Sequence, residues 1–153
     1  MFCSLFLPKA WKKCILEKTD KVGAKLLLSG GGRCNLTNIH LTPELHYIGQ
    51  ALKSLPSLFH NFGPEDMIQY LSQHGIETVV EDNGRVMLKS GKSKQLVDFL
   101  VNESKNNDTD FLFRHEVESI VRSDDHFLVS TSAGEFIAKK VIVASGGITY
   151  PQL

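Results

Sequence analysis

The chain has 153 residues, 42% of them hydrophobic and 22% charged, with a formal net charge of zero. Those values suit one globular domain and leave no overall field strong enough to draw it to nucleic acid or to a membrane surface. Cys3, Cys14 and Cys34 are odd in number and lack C-x-x-C spacing, which excludes a disulfide framework and a structural zinc site and makes a reducing, cytoplasmic location the expectation.

Phe2 to Leu7 is apolar but far too short to span a bilayer, and it has neither the basic lead nor the cleavage site of a signal peptide. Phe2, Leu5 and Phe6 fit the end of a helix that Pro8 would break. Lys13 to Glu17 then reads as a short buried strand ending in an acid. In a dinucleotide-binding unit such an acid accepts hydrogen bonds from ribose hydroxyls, and a G-x-G-x-x-G turn precedes it by roughly 20 residues. No glycine precedes Glu17 here. From Lys9 to Arg33 lysines and arginines outnumber acids, a distribution that solvated side chains explain more economically than an anionic partner does.

Lys25 to Asn38 is the densest stretch: an apolar run, then Ser29, Gly30, Gly31 and Gly32, then Arg33, Cys34, Asn35, Thr37 and Asn38. Consecutive glycines tolerate positive φ and let a ligand approach the backbone closely. Amides in such a turn form a concavity for anions, and a neighbouring guanidinium adds paired hydrogen bonds to phosphate. A nucleotide cradle is therefore one reading. A plain glycine turn with Arg33 solvated and Cys34 packed beneath it is the other.

Thr42 and Pro43 predict a helix start, with the helix running to about Ser54 and a break at Pro56. Leu58 to Phe62 predicts a short helical piece, and Glu65 to His74 a helix closed by Gly75. Thr78–Glu81 and Arg85–Leu88 around Asp82-Asn83-Gly84 predict a hairpin. Gly91-Lys92-Ser93 is not a P-loop, because the glycine required five residues earlier is Val86. Lys94 to about Lys105 is an amphipathic helix with Ser93 as its cap. The spacings of His40, His46, His60 and His74 fit no ligand set, so no metal is expected.

From Asp110 the period shortens to two. Phe111–Phe113 reads as a strand, and a β-meander with charged turns follows over about 117–138. Lys140 to Ala144 reads as an apolar strand of the parallel kind, ending in Ser145-Gly146-Gly147, where open α/β sheets bind ligands.

The string Val22-Gly23-Ala24-Lys25-Leu26-Leu27-Leu28-Ser29-Gly30-Gly31-Gly32-Arg33-Cys34-Asn35-Leu36-Thr37-Asn38 resembles the signature of a bacterial flavoprotein family. These are FAD-dependent oxidoreductases of the aminoacetone-oxidase or bile-acid-reductase type. The resemblance implies an α/β fold, a partial FAD-binding Rossmann-like domain over 1–153 with a helical and hairpin insertion at about 42–92. It implies FAD as cofactor, with Glu17 at the adenosine ribose and Lys25, Ser29, Gly31, Gly32, Arg33 and Asn35 along the pyrophosphate and flavin. Val117 would meet the adenine, and Ala144, Ser145, Gly146 and Gly147 match a segment near the cofactor, with Tyr150-Pro151 matching the residues after it. Two features depart from the pattern: the glycine fingerprint before Glu17 is missing, and Met87-Leu88 stands where many members carry Phe-Pro. On that pattern the chain is expected to be a middle piece lacking the first βα unit and the substrate domain. The function implied is the FAD-binding portion of an oxidoreductase acting on a small molecule, and the competing reading is a non-catalytic remnant or interaction module that retains no FAD. No catalytic acid or base stands out, no nucleic-acid or membrane partner is expected, and an exposed sheet edge invites self-association or a partner chain.

Overall fold

The computed structural model describes residues 1–48 and 53–146. In chain order its elements are β1 (Lys13–Glu17), α1 (Ala24–Leu28), β2 (Asn35–Asn38), α2 (Pro43–His46), α3 (Leu55–Asn61), α4 (Pro64–Gln73), β3 (Thr78–Val80), β4 (Arg85–Leu88), α5 (Ser93–Asn106), β5 (Thr109–Phe113), β6 (Val117–Arg122), β7 (Phe127–Thr131) and β8 (Gly134–Ala138). They fall into two compact units, Leu26–Leu96 and a second made of Met1–Lys25 with Val97 onward. The class is mixed α/β with a parallel pair of strands.

In the unit that holds the chain's start, β1 and β5 pair in parallel, from Lys13 opposite Thr109 to Glu17 opposite Phe113. This is the geometry a Rossmann-type unit requires, and the acid closes the carboxyl end of its strand. The predicted helix relic at Phe2–Phe6 is a 3-10 turn. It stops at Leu7, whose extended backbone (φ −82°, ψ 148°) is what a residue before proline adopts. The turn is tied down by polar groups: buried Ser4 donates to Met1 O at 2.6 Å, and its Oγ lies in hydrogen-bond contact with Ser104 Oγ at 3.0 Å. Asn107 Nδ2 donates to the carbonyls of Ser4 and Leu7. The β6–β7–β8 meander is antiparallel throughout, with β7 central and a bulge between Val117 and Ser119. Val129 and Thr131 of β7 are buried, whereas every residue of β6 is exposed.

In Leu26–Leu96 the predicted hairpin forms, Thr78 facing Leu88 and Val80 facing Val86. β2, read from the sequence as loop, joins the other side of β4 to complete an antiparallel sheet of order β2-β4-β3. Val86, Met87, Leu88 and Leu71 are at most 2% exposed and form the core. Each such side chain contributes roughly 1.5–3 kcal/mol by leaving water. α4 begins with Pro64 in its first turn and Gly63 N donating to Asp66 Oδ2 at 2.7 Å. It ends as predicted at Gly75, in the left-handed region (φ 73°), which lets Ile76 N donate back to Leu71 O.

Three expectations differ from the structure. Of the helix predicted from Thr42 to about Ser54, the described part forms one turn, Pro43–His46, with Tyr47 already extended; 49–52 lie outside the described residues. Leu45 is 79% exposed and Ile48 fully exposed, so among the described residues no buried face extends this turn, and short helices are marginal alone. Pro56 lies within the first turn of α3 rather than at a break, where its missing N–H costs nothing. Lys140–Ala144 is not a strand: no described strand pairs with it, and Ile142 and Val143 are exposed. An apolar parallel strand needs neighbours to satisfy its backbone, and among the described residues none lies in register with this one. The predicted roles of Gly147, Tyr150 and Pro151 lie outside the described residues. No helix among the described residues is long and apolar enough to cross a membrane.

Candidate functional site

The predicted site residues divide between the two units, and within each unit the structure gathers some of them. In Leu26–Leu96 the group is the glycine turn. α1 carries the chain into a 3-10 turn over Ser29–Gly32, inside which Gly30 (φ 58°) and Gly31 (φ 66°) are left-handed; Gly32 (φ 87°) is positive as well. No atom lies within 4 Å of where a Cβ on Gly31 would stand, so space above that residue is open. A Cβ on Gly30 would instead lie 2.8 Å from Met87 Cε and 3.0 Å from Asn35 N. Gly30 is thus required by packing, whereas Gly31 leaves its outer side free.

Ser29 and Asn35 close the turn reciprocally: Ser29 Oγ donates to Asn35 O at 3.2 Å and accepts from Asn35 N at 3.1 Å. Between them Cys34 N donates to Ser29 O at 3.0 Å, and Cys34 is fully buried with φ 64°. Burial pushes its thiol up to about 11. An activated thiolate needs the opposite shift, so Cys34 packs under the turn and is no redox nucleophile.

Arg33 leaves the turn toward Glu81, donating from Nη1 to Oε1 at 2.6 Å. Arg85 Nη2 lies 3.0 Å from the other carboxylate oxygen. The hydrogen bond from Arg33, and then the nearby charges of Arg33 and Arg85, hold the Glu81 carboxyl below its ordinary value. This charged cluster was not singled out from the sequence. Its signal is the charge pattern around the hairpin turn, Glu81-Asp82-Asn83-Gly84-Arg85, opposite an arginine that follows three glycines.

In the other unit, Lys25 Nζ donates to Ser145 O at 3.2 Å. It also lies 3.3 Å from where a Cβ on Gly146 would stand, and the positive φ of that residue (78°) favours glycine there. Lys25, Ser145 and Gly146 therefore come together across 120 residues of sequence, with Ala144 beside them and exposed. Glu17 sits at the end of β1, half-buried, its Oε1 accepting from Thr19 N at 2.9 Å and from Thr19 Oγ1 at 3.0 Å. Val117 opens β6 opposite Thr131 and is 42% exposed. Among the described residues these groups supply cations, hydroxyls and open backbone for binding, with no paired acid and base for proton transfer.

A parallel β-pair ending in a carboxylate is what a Rossmann-type α/β unit contains, and the comparisons agree with that fold class. The chain is 31% identical over 154 residues to the ribosomal RNA dihydrouridine synthase of Escherichia coli (strain K12), covering all of this chain and 38% of that protein. It is 30% identical over 158 residues to the Haemophilus influenzae ribosomal RNA dihydrouridine synthase, covering 39% of it. A 3-dehydro-bile acid delta(4,6)-reductase from Clostridium scindens is 26% identical over 87% of this chain and 32% of its own length. The chain thus spans less than two-fifths of these relatives. The bile-acid-reductase side of the resemblance has a relative among them, whereas the other two are dihydrouridine synthases rather than aminoacetone oxidases. The family model described as HI0933-like protein Rossmann domain matches residues 1–153, and the chain belongs to that family.

Proposed function

We propose that the chain is the FAD-binding portion of a flavin-dependent oxidoreductase. The observation that carries this reading is the glycine turn: successive positive-φ glycines, open above Gly31 and followed at once by a guanidinium. Such a turn fits a pyrophosphate, which needs close backbone approach and positive charge. Lys25 beside Gly146 offers a second cation, and Glu17, with Oε1 oriented by Thr19, suits a ribose hydroxyl. Bound flavin would supply the hydride chemistry. The protein's part is to bind and orient: in Leu26–Leu96, Gly31 and Gly32 admit the phosphate, Arg33 offsets its charge, and Ser29 and Asn35 hold the turn closed; in the other unit, Lys25 and Glu17 offer polar groups and Val117 its backbone.

Reduction is the reaction class we assign to the whole protein. Dihydrouridine differs from uridine by two added hydrogens, and the bile-acid relative is a reductase by name. The substrate test takes in RNA as well as a small molecule, because two relatives act by name on ribosomal RNA. A salt-dependent shift with oligonucleotides would assign RNA, and its absence would leave the small molecule expected from the sequence.

The first experiment is a visible absorption spectrum after incubation with FAD and removal of free cofactor. Flavin bands that travel with the protein support the reading; a colourless protein overturns it for this chain. The second reading, a module that retains no cofactor, is favoured by the unpaired, exposed segment at Ile142 and Val143, next to Ser145 and Gly146.

A further inference from the structure

We propose that Glu81 is a positioning residue for Arg33, fixing its guanidinium beside the glycine turn for a phosphate-bearing ligand. The inference rests on the flavin reading for the identity of that ligand and on the structure for the positioning itself. An arginine on an exposed turn loses about 2 kcal/mol of rotamer entropy when a ligand immobilises it. One already held in place loses less on binding.

Glu81 is placed to hold it. The residue is itself fixed, its carboxylate by Arg85 and its backbone by two turn hydrogen bonds. Arg85 Nη2 takes the second oxygen at 3.0 Å, and Glu81 N donates to Arg85 O at 2.8 Å. Gly84 N donates to Glu81 O at 2.8 Å, closing the turn tightly. Arg85 is fixed in turn, because its Nε donates to Asn83 Oδ1 at 3.0 Å and Asn38 Nδ2 donates to Asn83 O at 3.0 Å. Gly84 (φ 78°) is buried, and a Cβ there would run into the His40 ring and lie 2.6 Å from Asn38 Oδ1. The support under Arg33 is therefore a closed set of charge-assisted and turn hydrogen bonds, not a loose surface pair. With one N–H given to Glu81, the rest of the guanidinium fork stays available, and the Arg33 side chain is 51% exposed.

The test is a double-mutant cycle on the full chain, with FAD dissociation constants for wild type, Glu81→Gln, Arg33→Met and the double variant. Glu81→Gln keeps the shape and removes the charge. Loss of outer-shell partners of metal ligands weakens binding ten- to hundredfold, and about tenfold is expected here. In the Arg33→Met background the same change should have no further effect. Equal weakening in both backgrounds, or none in either, overturns the proposal. A second readout needs no cofactor: the Arg33 Nε–H nuclear-spin relaxation should report an ordered side chain in wild type and an averaged one in Glu81→Gln, at unchanged thermal midpoint. If wild type retains no FAD, the flavin reading fails, and the Arg33 relaxation alone decides. Order that is the same with and without the Glu81 charge overturns the positioning role.

Discussion

The β2-β4-β3 sheet and the β6–β7–β8 meander are both three-stranded and antiparallel, yet they use their apolar residues oppositely. In the first, the central strand is sealed, with Val86, Met87 and Leu88 at most 2% exposed. In the second, Val121, Leu128 and Ile137 lie side by side across the three strands, with Ile137 74% and Val121 57% exposed. Alternation of apolar residues therefore does not by itself make a core. β4 is buried because Leu71 and Ile76 belong to the same core, whereas β7, equally flanked by two strands, buries Val129 and Thr131 while the face of Val121 and Ile137 is left to solvent. The sheet with the sealed strand is also the one beside the glycine turn, and Met87 reaches within 2.8 Å of where a Gly30 Cβ would stand.

Substitutions sharpen or break this contrast. Leu71→Ala, at a fully buried position, should cost about 2–5 kcal/mol in urea unfolding. A loss that large from Ile137→Ala would break the comparison. Gly84→Ala combines an unfavourable backbone (φ 78°) with a Cβ pressed onto His40 and Asn38, and roughly 3 kcal/mol of destabilisation is expected in thermal melts. Cys34 gives a pH signature. Its thiol is raised from near 9 to about 11 in the folded chain, so its contribution is fully present below pH 9 and is lost as pH rises from 9 through 11. The amount is about 2–3 kcal/mol, read as the difference between wild-type and Cys34→Ala unfolding across that range. An unchanged difference would mean that the thiol is less sealed than the rest of this core. The smallest effect belongs to the open face, where Ile137→Lys should stay within about 0.5 kcal/mol of wild type.

What the sequence disclosed follows the same division. Strands set by local alternation and turn chemistry, such as Thr78–Leu88 and the meander, were legible because Gly84 and Asp124-Asp125 mark their turns. β2 was not, because Asn35-Leu36-Thr37-Asn38 lacks an apolar run and becomes a strand only through pairing with β4. The 140–144 segment erred the other way: its composition suits a buried strand, but pairing is a property of neighbours. Within the site, the glycine turn was legible from composition alone. The ion pair from Arg33 to Glu81 joins residues 48 apart, and no local pattern announces it.

The reciprocal bonds between Ser29 and Asn35 have a consequence for the order of events at this turn. Glycine loses more backbone freedom on ordering than any other residue, and three in a row would make a loose loop costly to organise around a ligand. Because Ser29 Oγ bridges the N–H and carbonyl of Asn35, and Cys34 is anchored beneath, the loop is already a closed ring in the folded chain. The entropy of those glycines is surrendered when the protein folds, so the proposed phosphate ligand would meet a mould instead of a tether.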